Sequence, residues 1–222
     1  MDLTYEWDWE YAWEILPDLL DGLWITIQAT FFGIILAMIL GLAFAILRRS
    51  EVRAISWPTA WVIEFIRSTP LLVQLFMLFY VLPHYGIRID AFTTGVLALG
   101  IHYATYTSEV YRSGIEGVPR GQWEASTALN LSTMTTWSRV ILPQAIPVVI
   151  PSLGNYLVAM FKEVPLLAFI TVFDVLGEGK AACTRNFQCV EPYTLVGVLF
   201  LIVSIPSSIL VRQLEVRLAR QP

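Results

Sequence analysis

Four charged side chains stand where charge is costly. Lys162 and Glu163 interrupt a mostly apolar stretch from 140 to 177, and Glu64 and Arg67 lie three apart at the edge of another. Ionisable groups at bilayer depth pair with one another or face a polar cavity. Both pairs are therefore candidates for an ionic binding site or gate. Two alternatives stay open: Lys162 and Glu163 reach the outer headgroups, or Glu64 and Arg67 sit wet on an amphipathic helix ending near Thr69. The backbone signals beside both pairs are prolines. Pro165 removes a donor and disfavours helix at Val164. This predicts a helix ending near Phe161 and a short second one over 166–176. Such breaks at bilayer depth line a cavity or are buried in protein, and in transporters they often adjoin substrate. Pro58 suits a helix start, which leaves Trp57 and Trp61 near the membrane surface, and Pro70 should kink that helix.

The elements that must position these residues are visible as gaps in the charge pattern. Residues 22–47, 68–87, 91–108, 140–161 and 192–211 contain no Asp, Glu, Lys or Arg. A hydrocarbon core of about 30 Å needs about 20 apolar residues of helix, so the runs predict about five transmembrane helices. Composition agrees: 56% of the 222 residues are hydrophobic and only 14% charged, with a mean hydropathy of +0.64. That excludes an ordinary soluble enzyme, while 12 Phe, 9 Tyr and 8 Trp exclude a disordered chain. A net charge of −4 gives no basic surface for nucleic acid.

Flanking charge sets the expected orientation. Residues 1–21 carry Asp2, Glu6, Asp8, Glu10, Glu14, Asp18 and Asp21 with no Lys or Arg, and Trp7, Trp9, Trp13 and Trp24 suit an interfacial belt. The acidic lead and the length of the first run do not fit a cleaved signal peptide. Arg48, Arg49 and Arg53 follow the first run, Arg112, Arg120 and Arg139 the third, and Arg212, Arg217 and Arg220 the last. The positive-inside rule then places the N-terminus outside and the C-terminus in the cytoplasm. Cys183 and Cys189 fall in the outer loop 174–191. They are either a short disulfide staple in an oxidising compartment or two free thiols. His84 and His102 stand alone, without the spacing of a metal site.

Residues 117–143 form the most informative loop. Gln122 to Leu129 favour a short helix, Asn130 tolerates a left-handed stop, and Trp123, Leu129 and Met134 supply a knob for a partner's groove. Glu124-Ala125-Ser126, three residues, Asn130, nine residues, then Val140-Ile141-Leu142-Pro143 resembles the E-A-A loop of ABC-importer permeases, with matching spacing. Ser126 replaces the second Ala and Asn130 the Gly. The stretches from Glu64 to Leu75 and from Ser108 to Gln122 resemble the polar-amino-acid branch of that family, which includes histidine, glutamine and arginine permeases. The chain departs from the branch at Lys162-Glu163-Val164-Pro165-Leu166, where a Lys-x-Thr-Ser-Leu stretch is usual. Permeases for ectoine and hydroxyectoine are also similar.

The resemblance implies an all-α membrane protein, a single permease domain of the type I importer bundle, with a cytoplasmic coupling helix and a broken fourth helix. It implies residence in the bacterial inner membrane and a non-catalytic role. The expected partners are a second permease subunit, identical or homologous, ATP-binding cassette subunits, and an external solute-binding protein. ATP and Mg would be bound by the cassettes, since this chain has no G-x-x-x-x-G-K-[ST] loop. Gly121, Gln122, Glu124, Ala125, Ser126, Leu129 and Asn130 would make the coupling contact. A zwitterionic solute needs one cationic and one anionic partner. Glu64, Arg67, Asn155, Lys162 and Glu163 are the candidates, with Asn155 two turns before Lys162 on one helical face. Glu109 and Arg112 form another pair, expected to be structural. The competing classes are a secondary transporter, which would need its own ion coupling, and a membrane scaffold.

Overall fold

The computed structural model describes residues 6–219. Asp2 and Arg220, counted above among the flanking charges, lie outside the described residues. The chain folds into α1 (Trp9–Arg48), α2 (Arg53–Arg67), α3 (Leu71–Phe76), α4 (Ala91–Glu116), α5 (Arg120–Ala128), a single turn α6 (Thr133–Thr135), α7 (Leu142–Glu163), α8 (Val175–Asn186) and α9 (Val190–Ala219). A wide π turn over Met77–Val81 and a 3-10 turn over Leu82–Tyr85 extend α3. A second π turn, Thr136–Ile141, feeds α7, and a 3-10 turn, Val164–Ile170, continues it.

Among the described residues, three helical runs are long and apolar enough to cross a membrane: Trp9–Arg48, Thr133–Ile170 and Val190–Leu218. The segments Arg53–Arg67 and Leu71–Tyr85 qualify only as a pair, bent by 101°, which makes up to four. The other long helix, α4, has 26 residues and at 1.5 Å per residue could reach across. Its Thr, Tyr, Ser and His content keeps its hydropathy below the other spans.

Prolines act at different points from those expected. Helix α2 begins at Arg53, with Val52 extended before it, so Pro58 lies inside the helix rather than at its start. Pro70 does more than kink: its extended backbone (ψ 139°) caps α3 and separates two helices. At the other break, α7 runs on to Glu163 and the chain tightens into the 3-10 turn, which stops at left-handed Thr171 (φ 67°). The single helix expected over 166–176 is therefore two pieces, the 3-10 turn and the start of α8. Asp174 starts α8 by accepting the Gly177 amide at 2.9 Å, an N-cap bond. Asp8 and Asp90 do the same for Tyr11 and Thr93.

The chain divides into two compact units, to which α1, α4, α7 and α9 each contribute. One contains the chain up to Gly33, Pro70–Leu99 and Ala159–Pro206. Its core is Tyr11, Ile15, Leu19, Val175, Ala182, Val196 and Leu199. The Tyr11 hydroxyl donates to the Ala182 carbonyl at 2.8 Å, and the Asp8 amide donates to Glu191. The other contains Ile34–Thr69, Gly100–Val158 and the chain from Ser207. Here α1 and α4 approach closely at Gly41, where an added Cβ would meet the Thr107 side chain and lie 2.9 Å from the Ala104 carbonyl oxygen.

Candidate functional site

The loop after α4 is built around α5. Ser126 is buried and its hydroxyl donates back to the Gln122 carbonyl at 2.8 Å. The helix ends in a Schellman arrangement: the Leu131 amide reaches the Ser126 carbonyl and the Asn130 amide the Thr127 carbonyl, both at 3.0 Å, with Asn130 left-handed at φ 53°. Beneath it, Val118, Ile141 and Ala145 form a small core with Trp123 and Trp137 packed against it. The two indoles meet edge to face at 5.4 Å, and the Arg49 guanidinium lies over the Trp137 ring at 5.8 Å. Gln144 donates to the Val140 carbonyl at 2.7 Å and contacts the Gln122 side chain at 3.4 Å.

This scaffold leaves one face of the loop bare. Gly121, Gln122, Glu124, Ala125, Leu129 and Asn130 are exposed, and Leu129 and Met134 are 71% and 77% accessible. Glu124 has no ion-pair partner among the described residues. Two large apolar tips and an unpaired carboxylate on a firmly anchored short helix suit a groove in another protein.

At the arginine-rich end of α1, Glu109 is shared between two helices. Arg48 pairs with one carboxylate oxygen, and Arg112 donates to the other at 2.5 and 2.9 Å while reaching Glu116 at 2.6 Å. The cross-helix bond to Arg48 makes this a tie between α1 and α4 rather than a local pair on one helix.

The five candidate binding residues fall in different surroundings. Glu64, Arg67 and Asn155 belong to the second unit, Lys162 and Glu163 to the first. Glu64, Arg67, Asn155 and Lys162 are exposed and Glu163 is half-buried. Arg67 is not paired with Glu64; its guanidinium sits over the Tyr106 ring at 5.4 Å, a cation–π geometry. The Tyr106 ring is 5.7 Å from Tyr156, 6.0 Å from Tyr103 and 5.3 Å from His102. Tyr156 directly follows Asn155 on α7. Sequence reasoning missed this aromatic cluster. Its signal is the spacing of His102, Tyr103 and Tyr106 on one face of α4. Glu163 Oε2 is buried and has no hydrogen-bond partner among the described residues.

Between the 3-10 turn and α8 the side chain of Asp174 is wholly buried. Burial raises its carboxyl to about 6, against the pull of the Gly177 amide and with further help from Glu178. Cys183 and Cys189 are joined by a disulfide that ties the end of α8 to the start of α9.

An all-helical chain with bent and tightened spans, and a short bare helix between two of them, defines a class of membrane transport component. The chain belongs to the family of binding-protein-dependent transport system inner membrane components, which it matches over residues 23–220. It is 50% identical over 211 residues to a probable amino-acid ABC transporter permease of Sinorhizobium fredii, covering 95% of this chain and 91% of that one. It is 36% identical over 205 residues to an L-cystine transport system permease of Bacillus subtilis, covering 92% and 88%. Among solved structures it is similar to an amino acid ABC transporter crystallised with histidines, with a TM-score of 0.91, 31% identity, and coverage of 96% of this chain and 100% of that one.

Proposed function

We propose that this chain is the permease subunit of an ATP-driven importer for a polar amino acid or a related zwitterion, ectoine and hydroxyectoine included. In this reading it pairs in the inner membrane with a second permease subunit, identical or homologous. Cassette subunits bind ATP and Mg and hydrolyse the nucleotide, and this chain catalyses nothing itself. An external binding protein delivers the solute. The N-terminus and the 174–191 segment face outward, and 117–143 faces the cassettes.

The observation that carries the proposal is α5. A helix that is both braced on Trp123 and Trp137 and bare at Glu124, Leu129 and Asn130 can transmit a push and a pull to the bundle, which rigid-body alternation requires. Full-length likeness to amino-acid permeases supports the solute class. Arg67, whose guanidinium lies over the Tyr106 ring at 5.4 Å, is the cation for a solute carboxylate. Asn155, beside Tyr156 in the same unit as Arg67, is the neutral contact, and Glu64 is the anionic partner for an ammonium.

Co-expression of the tagged chain with candidate cassette and binding-protein subunits, followed by uptake into proteoliposomes, tests this. ATP-dependent accumulation of a labelled amino acid or ectoine is expected. Uptake that ignores ATP and follows an ion gradient would overturn it and leave a secondary transporter.

A further inference from the structure

The Arg49 guanidinium closes one end of an apolar groove that the transport reading does not use. Leu42, Ala45 and Ile46 recur at i, i+3 and i+4, so they share one face of α1, and Arg49 follows directly after the helix ends at Arg48. With Ile115, Trp137 and Leu142 they line a groove of about 350 Å³. Seven residues of helix make its α1 wall about 10 Å long. Leu42, Ile46 and Leu142 are exposed along it.

Charge distinguishes the end of the groove from its walls. Neighbouring Arg48 and Arg112 are both held by Glu109. Arg49 has no carboxylate partner among the described residues; its guanidinium lies over the Trp137 ring at 5.8 Å. Arg48 and Arg49 are also the first charges after the uncharged run 22–47. A cation and an indole at the end of an apolar span mark headgroup depth. The groove therefore lies where hydrocarbon meets phosphate.

We propose that this groove binds an anionic phospholipid, with one acyl chain against Leu42, Ala45 and Ile46 and the phosphate on Arg49. Charge complementarity selects the occupant. An apolar helix from another subunit would satisfy the wall but need a carboxylate placed at Arg49 as well, whereas every anionic phospholipid supplies both chain and anion at the right height. Only the leaflet, the cytoplasmic one, rests on the orientation proposed above; the ligand does not.

The test needs neither ATP nor solute, so its failure is separate from failure of the transport reading. The intact chain, with the subunits that copurify, is placed in nanodiscs of equimolar phosphatidylglycerol and phosphatidylcholine. It is then stripped with mild detergent, and the retained lipid is quantified by mass spectrometry. About one phosphatidylglycerol per chain is expected. Arg49→Gln should lower that retention at least fivefold, and Leu42→Trp, a bulky ring at an exposed groove position, should do the same. Arg49→Lys should keep most of it, and Arg217→Gln, an exposed cation elsewhere, should keep all of it. Inorganic phosphate at 10-fold excess over lipid should not compete, because the chain contributes half of the contact. Equal retention in Arg49→Gln, equal retention of phosphatidylcholine, or loss to phosphate alone would overturn the proposal. So would a disulfide cross-link from Ile46→Cys to a second subunit.

Discussion

The Leu131 amide bonds the Ser126 carbonyl at 3.0 Å by passing over Asn130, and this fold-back holds only while Asn130 keeps φ near 53°. A left-handed residue with a side chain costs roughly 1–2 kcal/mol, less for Asn and nothing for Gly. Asn130→Gly should leave thermal stability and recovery of the cassette subunits within error of the parent. Asn130→Val, β-branched and adverse at positive φ, should cost about 1–2 kcal/mol locally and reduce cassette recovery severalfold. Pull-down at matched expression checks both. Equal recovery from the two variants would mean that the left-handed stop does not shape the docking face.

Glu124 projects from the same helix with no ion-pair partner among the described residues. Its removal should therefore cost the fold nothing measurable and affect only what the loop touches. Glu124→Ala should leave the unfolding midpoint unchanged and basal ATP hydrolysis by the assembly present, while ATP-driven uptake falls at least tenfold. Uptake and phosphate release measured on the same proteoliposomes separate the two. Uptake at the parent level would remove Glu124 from the coupling contact.

Much of this loop was legible beforehand because its signals are local. A short run of helix formers followed by Asn predicts a helix with a left-handed end, and the chain forms α5 and stops at Asn130. The uncharged runs likewise predicted an all-helical membrane chain, because bilayer thickness sets a length that sequence alone can meet. What was hidden depends on tertiary contact. Thr171 is β-branched and gives no hint of φ 67°. It adopts that value where the buried 3-10 turn, with Val164, Leu167 and Ile170 inward, must hand over to α8. The start of α8 did have a local sign, Asp174 three residues before Gly177, but the flanking apolar residues masked it as more of the same span. The partnership of Arg67 with Tyr106 was invisible for a different reason. The i, i+3 spacing to Glu64 suggests an ion pair, and only the approach of α4 offers a ring instead.

Gly41 marks a close approach of α1 to α4 in its unit. A methyl group there would strike the Thr107 side chain, whose hydroxyl already donates to the Ala37 carbonyl at 2.8 Å, and would lie 2.9 Å from the Ala104 carbonyl. A flexible tip can turn aside; a helix backbone cannot. Gly41→Ala should cost about 1–3 kcal/mol, the usual range for overpacking. Thr107→Ala should rescue only part of that, since the Ala104 carbonyl remains. Thermal unfolding of the double variant in detergent decides it. Full rescue would place the whole clash on the side chain.

Glu109 holds Arg48 and Arg112 at once, so its loss should exceed the loss of either arginine. The three side chains are roughly a quarter to a third exposed, which discounts each contact for solvent screening. Glu109→Gln should destabilise by about 1–2 kcal/mol by leaving two guanidiniums facing each other, and Arg112→Ala by about 1 kcal/mol or less. Unfolding midpoints at low and high salt check the ranking. The glutamine variant should gain from added salt, which screens the repulsion.

Asp174 predicts a pH dependence with a definite sign. Its carboxyl titrates near 6 in the folded chain against 3.8 as a free side chain, because burial penalises the charge more than the Gly177 amide favours it. A folded value above the unfolded one means the group's contribution is fully present below about 3.8 and is lost as pH rises toward about 6. Above that the loss is constant, at most about 3 kcal/mol at 1.36 kcal/mol per pH unit. Asp174→Asn keeps an oxygen for the α8 cap and removes the buried charge. It should match the parent near pH 4 and exceed it in stability by up to about 3 kcal/mol at pH 7.5. Asp174→Ala loses the cap as well and should sit about 1 kcal/mol below the Asn variant at every pH. Unfolding curves for the three chains between pH 3.5 and 7.5 test this. If parent and Asn variant ran parallel across that range, the buried carboxyl would not be the group that titrates.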